Sequence, residues 1–269
     1  MSHEILRFLF IGAHPGDGEW YVGGVAALYA QLGHQVVLAS LANGDQGHHA
    51  LGGAPLARRR RAEAEAGAAL LGAQAVVLDN HDGAIQPTLE YRQQVIALLR
   101  EFRPHLVATH RLYDYHPDHR YTGQLVQDAV GPASWSGTMG HLPPLPHKPV
   151  VVFCWDGMRR PYPFEPDVAI DVGAVFEHKV DAIACHVSQF FEGAGASDIP
   201  AGPGERRAWF GGSVAHEQQP MVDSCRPRLL ELYGEQRGTQ VKHAECFEVC
   251  EHGAPLTAEQ LRRLFPFFP

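Results

Sequence analysis

The sequence predicts an α/β fold: a Rossmann-like, open and mostly parallel sheet with helices on both faces. Short apolar segments alternate with segments of helical spacing through the first half of the chain. This order implies parallel strand pairing through right-handed crossovers. The composition is that of an ordinary globular protein, with 45% apolar residues among 269. In such a sheet an active site is expected at the carboxyl ends of the strands.

The elements of the first half are predicted from apolar runs and from residues typical of helix starts and ends. Gly33 and Gly72 end two helices, Pro55 suits a first helical position, and Pro104 stops a third helix. The predicted strands are residues 5–11, 35–41, 75–78 and 105–109. The predicted helices are residues 20–32, 55–71, 88–102 and 119–130.

The second half is less regular, and we assign it to the same single domain, residues 1–269. Predicted strands are 150–154, 168–171 and 241–249, and predicted helices are 175–186 and 221–236. Pro227 argues against the last helix. The Gly- and Pro-rich stretches 131–149 and 192–204 are expected to form a rim or lid.

Charge and hydropathy exclude several classes of function. The net charge of −8 gives no basic face for nucleic acid. No window approaches the 18 apolar residues of a membrane span, and the first apolar run is typical of a buried strand, not a signal peptide. Five cysteines without a C-x-x-C pair favour reduced thiols in a cytoplasmic protein.

Two polar motifs follow predicted parallel strands, and these motifs carry the chemistry. His14 and Asp17 come after the first strand, and His116-Pro117-Asp118-His119 comes after the fourth. A histidine after a strand is more often structural, and many turns contain proline, so neither motif alone indicates a metal. Together at one sheet edge, His14, Asp17 and His119 offer two imidazoles and one carboxylate. Three ligands with an open fourth position are the layout of a catalytic zinc site.

The chain resembles the LmbE / PIG-L family of metal-dependent sugar de-N-acetylases. The family motif A-H-P-D-D-E corresponds to Ala13-His14-Pro15-Gly16-Asp17-Gly18-Glu19, and H-P-D-H is intact. Further matches are Asn43-Gly44-Asp45, Arg60-x-x-Glu63, Asp82-Gly83, His186-x-Ser188-Gln189 and Ala244-Glu245-x-Phe247. The resemblance therefore extends over nearly the whole chain.

The resemblance implies roles for individual residues. His14, Asp17 and His119 would bind Zn²⁺, or another divalent metal such as Fe²⁺. His116 would be the cationic or electrophilic residue beside the tetrahedral intermediate, with Asp118 as its orienting carboxylate. Asp45, Arg60 and Asp82 would lie at the rim or behind the ligands, although Arg60 is also compatible with a solvated helix face.

Gly16 departs from the family, because its position normally holds the aspartate that acts as general base. Asp45, Glu19 and Asp118 are the candidate substitutes, and the sequence does not choose among them. A shifted alignment would instead make Asp17 the base and Glu19 the ligand. We also predict that His116 is not a ligand, because Pro117 disfavours a helical pairing of its ring with His119.

The expected activity is removal of the acetyl group from an N-acetylated amino sugar, an N-acetylglucosamine derivative, by metal-activated water. The alternative is a metal- or ligand-binding relative with weak or no deacetylase activity. A non-haem iron oxygenase shares the ligand types, but its usual scaffold is all-β.

Trp20, Tyr113, Tyr115 and Trp155 are candidates for stacking on a sugar ring. The apolar tail 264–268 is expected to dock on its own core, and a homo-oligomeric contact stays open.

Overall fold

The computed structural model describes residues 4–192 and 199–268. Within these residues seven strands form one sheet in the order β3-β2-β1-β4-β5-β7-β6. The first five strands run parallel, and β7 pairs antiparallel with both β5 and β6. The strands are β1 (Arg7–Gly12), β2 (Gln35–Ala42), β3 (Gln74–Asn80), β4 (Leu106–Thr109), β5 (Val150–Cys154), β6 (Val168–Asp171) and β7 (Ala244–Val249). The predicted fold class is confirmed.

Helices cover both faces of this sheet. They are α1 (Asp17–Gln31), α2 (Gly53–Leu70), α3 (Leu89–Phe102), α4 (Pro117–Val130), α5 (Phe176–Ala184), α6 (Val187–Phe190), α7 (Pro203–Ser224), α8 (Arg226–Gln240) and α9 (Ala258–Leu264). None of the helices in the described ranges is both long and apolar enough to cross a bilayer.

Strand β1 lies inside the sheet and contributes to two separate cores. Phe8 and Phe10 pack on one face with residues of α1, whereas Leu9 and Ile11 pack on the other with residues of α3 and α4. Successive side chains of a strand point to opposite faces, so a strand covered on both sides is apolar throughout. This explains the uninterrupted apolar run near the N-terminus.

The predicted elements of the first half are all present, with shifted starts. Helix α1 begins at Asp17, three residues earlier than expected, because Gly16 adopts a left-handed N-cap conformation (φ +103°). Helix α4 begins at Pro117 and is capped by the His116 side chain, which accepts the Asp118 N–H. Pro117 therefore fills a first helical position, where no N–H is needed.

The second half contains more helix than its composition indicated. Residues 203–204 belong to α7, although the preceding Gly- and Pro-rich stretch was expected to be loop; residues 193–198 of that stretch lie outside the described residues. Pro227 does not prevent a helix, because it is the second residue of α8. Residues 131–149 are irregular apart from one turn of 3-10 helix.

Segment 131–149, expected as a rim or lid, packs against α3 through a buried arginine. None of its residues lines the main cavity described below. The buried Arg100 instead ties it to α3, donating to the carbonyls of Ala133 (3.0 Å), Trp135 (2.7 Å) and Leu142 (2.8 Å). A buried guanidinium needs several acceptors, and this segment supplies them.

The C-terminal tail docks on its own core as predicted, with Leu264 and Phe265 buried.

The expectation of reduced thiols is wrong for one pair of cysteines, because Cys225 and Cys246 form a disulfide. The bond joins the end of α7 to β7, a contact between segments 21 residues apart that spacing alone does not show.

A buried ion pair fastens α1 and α5 to β7. Lys179 Nζ lies 2.7 Å from Glu245 Oε1, and both residues are fully buried. The Glu245 carboxylate also accepts the N–H groups of Gly24 (2.7 Å) and Val25 (2.8 Å). Each of the two buried charges is therefore neutralised by the other.

Replacing Lys179 by Met should lower the free energy of unfolding by about 3–5 kcal/mol, because Glu245 would keep a buried charge without a counter-ion. Urea denaturation followed by circular dichroism measures this. The control is Arg207→Met, which removes a surface ion pair with Asp181 and should cost about 1 kcal/mol or less. Equal losses in the two variants would contradict the assigned role of the pair.

Candidate active site

A cavity of about 590 Å³ opens at the carboxyl edge of the sheet. Strands β1 and β4 end there side by side, so the two histidine motifs meet as the sequence predicts. The polar residues that line the cavity are His14, Asp17, Gln46, Arg60, Asp82, Tyr115, His116, His119, Asp156, Gln189, Glu217 and Gln218. The other lining residues are Gly16, Trp20, Tyr21, Gly47, Trp155, Phe190 and Met221.

The Asp17 carboxylate on the cavity floor is held in place by hydrogen bonds. Its Oδ2 accepts the backbone N–H groups of Ala13 (3.0 Å) and His14 (2.8 Å) at the end of β1. Burial opposes ionisation, but His119, His110 and His14 together hold the pKa of Asp17 well below its usual range. The side chain is thus an ionised carboxylate in a fixed orientation.

Both predicted imidazole ligands face this same carboxylate oxygen. Nδ1 of His14 lies 3.7 Å and Nε2 of His119 lies 3.6 Å from Asp17 Oδ2. The structure therefore brings His14, Asp17 and His119 together, as the sequence predicts. The donor set fits a divalent ion bound by two imidazoles and one carboxylate.

The outer nitrogens of both imidazoles contact carboxylates, as metal-binding histidines usually do. His119 Nδ1 lies 3.0 Å from Asp114 Oδ1. His14 Nε2 lies 3.2 Å from both Asp82 Oδ1 and Asp118 Oδ2. Burial disfavours the His14 cation, but the hydrogen bonds to Asp118 and Asp82 raise its pKa to about 10.

His110 is a further imidazole of the cluster that the sequence analysis did not single out. Its ring stacks on His119 with centroids 3.9 Å apart, and its Nε2 lies 3.1 Å from Asp17 Oδ2. Burial and the neighbouring His119 lower its pKa to about 4, so the ring is neutral. Asp17, His110 and His119 also present atoms within 4.8 Å of one another that could hold an ion.

His116 lies at the cavity wall, and its Nδ1 accepts the Asp118 N–H (3.2 Å). Burial, His14 and His119 lower its pKa, which favours the neutral ring with its proton on Nε2. Of the two forms considered, the structure favours the electrophilic hydrogen-bond donor over the cation. Pro117 does not separate the rings, since those of His116 and His119 are 5.1 Å apart.

Asp118 does not orient His116 through its carboxylate, which corrects the predicted role. The first turn of α4 directs this side chain towards the loop after β3. There Oδ2 contacts His14 and accepts the Gly83 N–H (2.8 Å). Asp118 therefore positions His14, while only its backbone N–H contacts His116.

Asp45 is also a supporting residue, and it does not line the cavity. Its carboxylate accepts the Asp82 N–H (3.0 Å) and contacts His81 Nδ1 (2.6 Å). These contacts fix the loop that carries Asp82 into the cavity. Asp45 therefore acts on the position of Asp82.

Arg60 is buried and lines the cavity, so the solvated helix face is excluded. Its Nη1 lies 3.4 Å from Asp82 Oδ2, and its Nε makes no hydrogen bond to the described residues. A guanidinium donor beside a carboxylate acceptor suits a ligand with neighbouring hydroxyl groups.

Glu19 is buried and does not line the main cavity. Its Oε2 is 3.4 Å from Nε2 of the buried His186. The shifted alignment with Glu19 as a ligand therefore has no support in the geometry. Neither His186 nitrogen makes a hydrogen bond to a described residue.

The His186 ring and the Gln189 side chain lie close to Gly16. A Cβ at position 16 would lie 3.4 Å from His186 Nδ1 and 3.3 Å from Gln189 Oε1. With φ at +103°, any side chain here would also strain the backbone. The sequence showed the missing acid at Gly16, but not the imidazole behind it.

Of the four aromatic candidates for sugar stacking, three line the cavity: Trp20, Tyr115 and Trp155. Trp20 stacks on Phe190 with ring centroids 6.0 Å apart. Tyr113 does not line the cavity and instead packs edge-on against Tyr162.

The fold and the site define an α/β protein with a histidine and carboxylate cluster at the carboxyl edge of its sheet. Residues 9–130 match the PIG-L family, described as GlcNAc-PI de-N-acetylase. This match covers the first half of the chain and agrees with the resemblance of its motifs.

Individual relatives are named as two kinds of enzyme. The chain is 29% identical to diacetylchitobiose deacetylase of Thermococcus kodakarensis, over 71% of this chain and 72% of that protein. It is 28% identical to 4-oxalmesaconate hydratase of Pseudomonas putida, over 67% of this chain and 73% of that protein. The solved N,N'-diacetylchitobiose deacetylase from Pyrococcus horikoshii shares the fold, with a TM-score of 0.68, 24% identity, and coverage of 91% of this chain and 84% of that one.

Proposed function

We propose that the protein is a metal-dependent hydrolase that removes the acetyl group from an N-acetylated amino sugar. The observation that carries the proposal is the approach of His14 Nδ1 and His119 Nε2 to one oxygen of Asp17, at 3.7 and 3.6 Å, on the floor of an open cavity. The PIG-L match and the deacetylase relative support amide hydrolysis at such a site.

His14, Asp17 and His119 would hold the metal, which we propose to be Zn²⁺. When bound, zinc lowers the pKa of water and polarises an amide carbonyl. Ferrous iron accepts the same two-histidine, one-carboxylate set, so the donor atoms alone do not select the metal. The reaction consumes one water and one amide, and yields a free amine and acetate.

The remaining cavity residues bind the substrate and stabilise charge. His116 offers its Nε2–H as a hydrogen-bond donor to the amide oxygen as negative charge develops there. Arg60 and Asp82 form a donor and acceptor pair for sugar hydroxyls. Asp118 and Asp114 keep the ligand rings in place.

We assign the proton-accepting role to His186, acting across the space that Gly16 leaves open. Asp45, Glu19 and Asp118 do not line the cavity, and each contacts other partners. His186 is buried and does not line the cavity either, but it lies next to Gly16, which does. His186 Nδ1 points at the position of the missing side chain, and Glu19 lies beside its other nitrogen. An imidazole backed by a carboxylate is a competent general base.

The second candidate is a hydratase, which adds water to its substrate. It is favoured by the absence of an acid at position 16 together with the 28% identity to 4-oxalmesaconate hydratase. The cavity lining argues for the first candidate, because it carries Asp17, Asp82, Asp156 and Glu217 but only one arginine. Such a lining repels a substrate with several carboxylates.

The function is tested by measuring acetate release from N-acetylglucosamine and from N,N'-diacetylchitobiose with metal-loaded protein. We expect release that a chelator abolishes and zinc restores. Water addition to an unsaturated dicarboxylic acid without acetate release would support the hydratase instead. A metal-loaded protein without any turnover would contradict both and indicate a binding protein.

Replacing His119 by Ala should abolish stoichiometric metal binding, because a three-ligand site loses a third of its donors. Asp114→Asn should weaken metal affinity by about 10- to 100-fold by releasing the His119 ring.

His116→Ala should retain the metal and lose turnover. Metal analysis and competition with a chromophoric chelator measure these effects, and metal loss in His116→Ala would place that residue among the ligands.

Replacing His186 by Asn should lower kcat by about 10²-fold with metal content unchanged, since a general base contributes at least that much. The control is Ser188→Ala, two residues further along in α6, where the hydroxyl donates to Glu63 (2.6 Å). This variant should keep nearly the full rate. Equal losses in both variants would show that the helix, and not the imidazole, matters.

A further inference from the structure

Three segments that line the cavity are joined to one another at the carboxylate of Glu192. Its two oxygens accept hydrogen bonds from Arg59 Nη1 (2.6 Å) and Nη2 (2.7 Å), a bidentate geometry that is stronger than a single contact. Nε2 of His48 lies 3.2 Å from Oε2 of the same carboxylate. Neither Glu192 nor these two partners line the cavity, so the Glu192 cluster (His48, Arg59 and Glu192) acts on it only through neighbouring residues.

The His48 ring is fixed in the tautomer that suits its contact with Glu192. Its Nδ1 accepts the backbone N–H groups of Ala50 (3.1 Å) and Leu51 (3.0 Å). An imidazole nitrogen that accepts hydrogen bonds carries no proton, so the proton lies on Nε2, which donates to Glu192. The His48 side chain is only 3% exposed, and the contact therefore joins the loop after β2 to Glu192 in one orientation.

Arg59 also connects the cluster to the beginning of α6. Its Nε donates to Glu63 Oε1 (3.1 Å), and Glu63 accepts the backbone N–H of Ser188 (3.0 Å). Helix α6 has four residues, and its N-cap residue His186 makes no capping hydrogen bond through its side chain. A helix this short depends on contacts from outside. Glu63 makes such a contact near its beginning, and Glu192 makes one just beyond its end.

Each member of the Glu192 cluster lies next to residues that line the cavity. His48 belongs to the loop after β2, Arg59 to α2, and Glu192 to the residues after α6. The lining residues beside them are Gln46, Gly47, Arg60, Gln189 and Phe190, which together form one wall of the cavity. The three segments are far apart in the chain, so local structure does not fix their relative positions, whereas the contacts to Glu192 join them.

Glu192 is ionised at neutral pH, and its ion pair is partly exposed. Hydrogen bonds from Arg59, and to a smaller extent from His48, lower the pKa of Glu192 to about 2. The side chains of Arg59 and Glu192 are 33% and 35% exposed. Pairs of this exposure contribute little to the stability of a whole protein. Removing this pair should therefore loosen the wall locally and leave the fold intact.

We propose that Glu192 is a positioning residue that holds this wall of the cavity together for substrate binding. Gln189 and Phe190 depend on it most, because Glu192 follows them directly after α6. The proposed metal ligands lie on other elements, at the end of β1 and in α1 and α4, so the metal site does not depend on Glu192. The inference rests on the proposed function for the substrate with which it is tested.

The first test is hydrogen exchange of the ligand-free protein, measured by mass spectrometry for wild type and Glu192→Gln. Glutamine keeps the size of the side chain and an acceptor oxygen but removes the charge. The N–H groups of Phe190 and Phe191 are bonded to the carbonyls of His186 (3.1 Å) and Val187 (3.0 Å). Both should exchange about 5-fold faster in the variant, because local opening of α6 becomes easier. Unchanged exchange in this peptide would overturn the proposal.

The second test is the kinetics of acetate release from N-acetylglucosamine by metal-loaded protein. Glu192→Gln should raise KM about 5-fold with kcat within about twofold and metal content unchanged, the pattern of lost substrate binding. The value of kcat is retained because Glu63 still holds the beginning of α6, next to His186. An unchanged KM, a fall in kcat alone or loss of metal would contradict the assignment.

A double-mutant cycle shows whether Glu192 acts through Arg59. Arg59→Met should raise KM at least as much as Glu192→Gln, and the double variant should match Arg59→Met, since both changes remove the same interaction. Effects on KM that multiply in the double variant would show that the two residues act independently, and the proposal would fail.

The matched control is Glu231→Gln, which removes an equivalent charge from an ion pair with Arg228 (2.7 Å) in α8. Neither of these residues lines the cavity, so KM and the exchange of α6 should stay as in wild type. Equal effects in Glu231→Gln and Glu192→Gln would sink the proposal.

Hydrogen exchange separates this inference from the proposed function, because it needs no substrate. If wild type releases no acetate, the proposed function fails, and the exchange of α6 decides the role of Glu192 by itself. Faster exchange in Glu192→Gln but not in Glu231→Gln then supports the role, and equal exchange in the two variants contradicts it.

Discussion

The site depends on the fixed position of one carboxylate, that of Asp17. Its Oδ2 accepts two backbone N–H groups from the end of β1, so the strand itself determines where the negative charge lies. The left-handed turn at Gly16 allows α1 to begin at once, with Asp17 in its first turn. There the helix dipole favours the anion. His14 and His119 therefore lie close to the Asp17 carboxylate, whose position is fixed by these hydrogen bonds.

The surrounding charges explain why this cluster suits a cation. Asp17, Asp82, Asp114 and Asp118 lie around His14 and His119 at the bottom of the cavity. Hydrogen bonds to Asp118 and Asp82 raise the pKa of His14, so positive charge is favoured at this point. A divalent cation would supply positive charge at one point and would be bound by neutral imidazoles, the form that ligates metals. The carboxylates behind the rings then orient them.

Gly16 and His186 are best understood together. A Cβ at position 16 would lie 3.4 Å from Nδ1 of the buried His186. A side chain at this position would therefore crowd the imidazole. The contact between Glu19 and His186 couples this imidazole to α1, the helix that also starts with Asp17.

The sequence by itself determined the parallel sheet and the meeting of His14, Asp17, His116 and His119. Both results follow from local patterns, because alternating strands and helices force parallel pairing, and the ends of neighbouring parallel strands share one edge. It did not determine what each polar side chain contacts. Asp118 contacts His14 and not His116, and Asp45 holds the Asp82 loop. His186 lies beside Gly16 although it belongs to the turn before α6, far along the chain. The disulfide between Cys225 and Cys246 could not be predicted from the sequence either. Only tertiary packing decides such contacts, because each depends on the distance and orientation of groups far apart in sequence, and neither is encoded in local spacing.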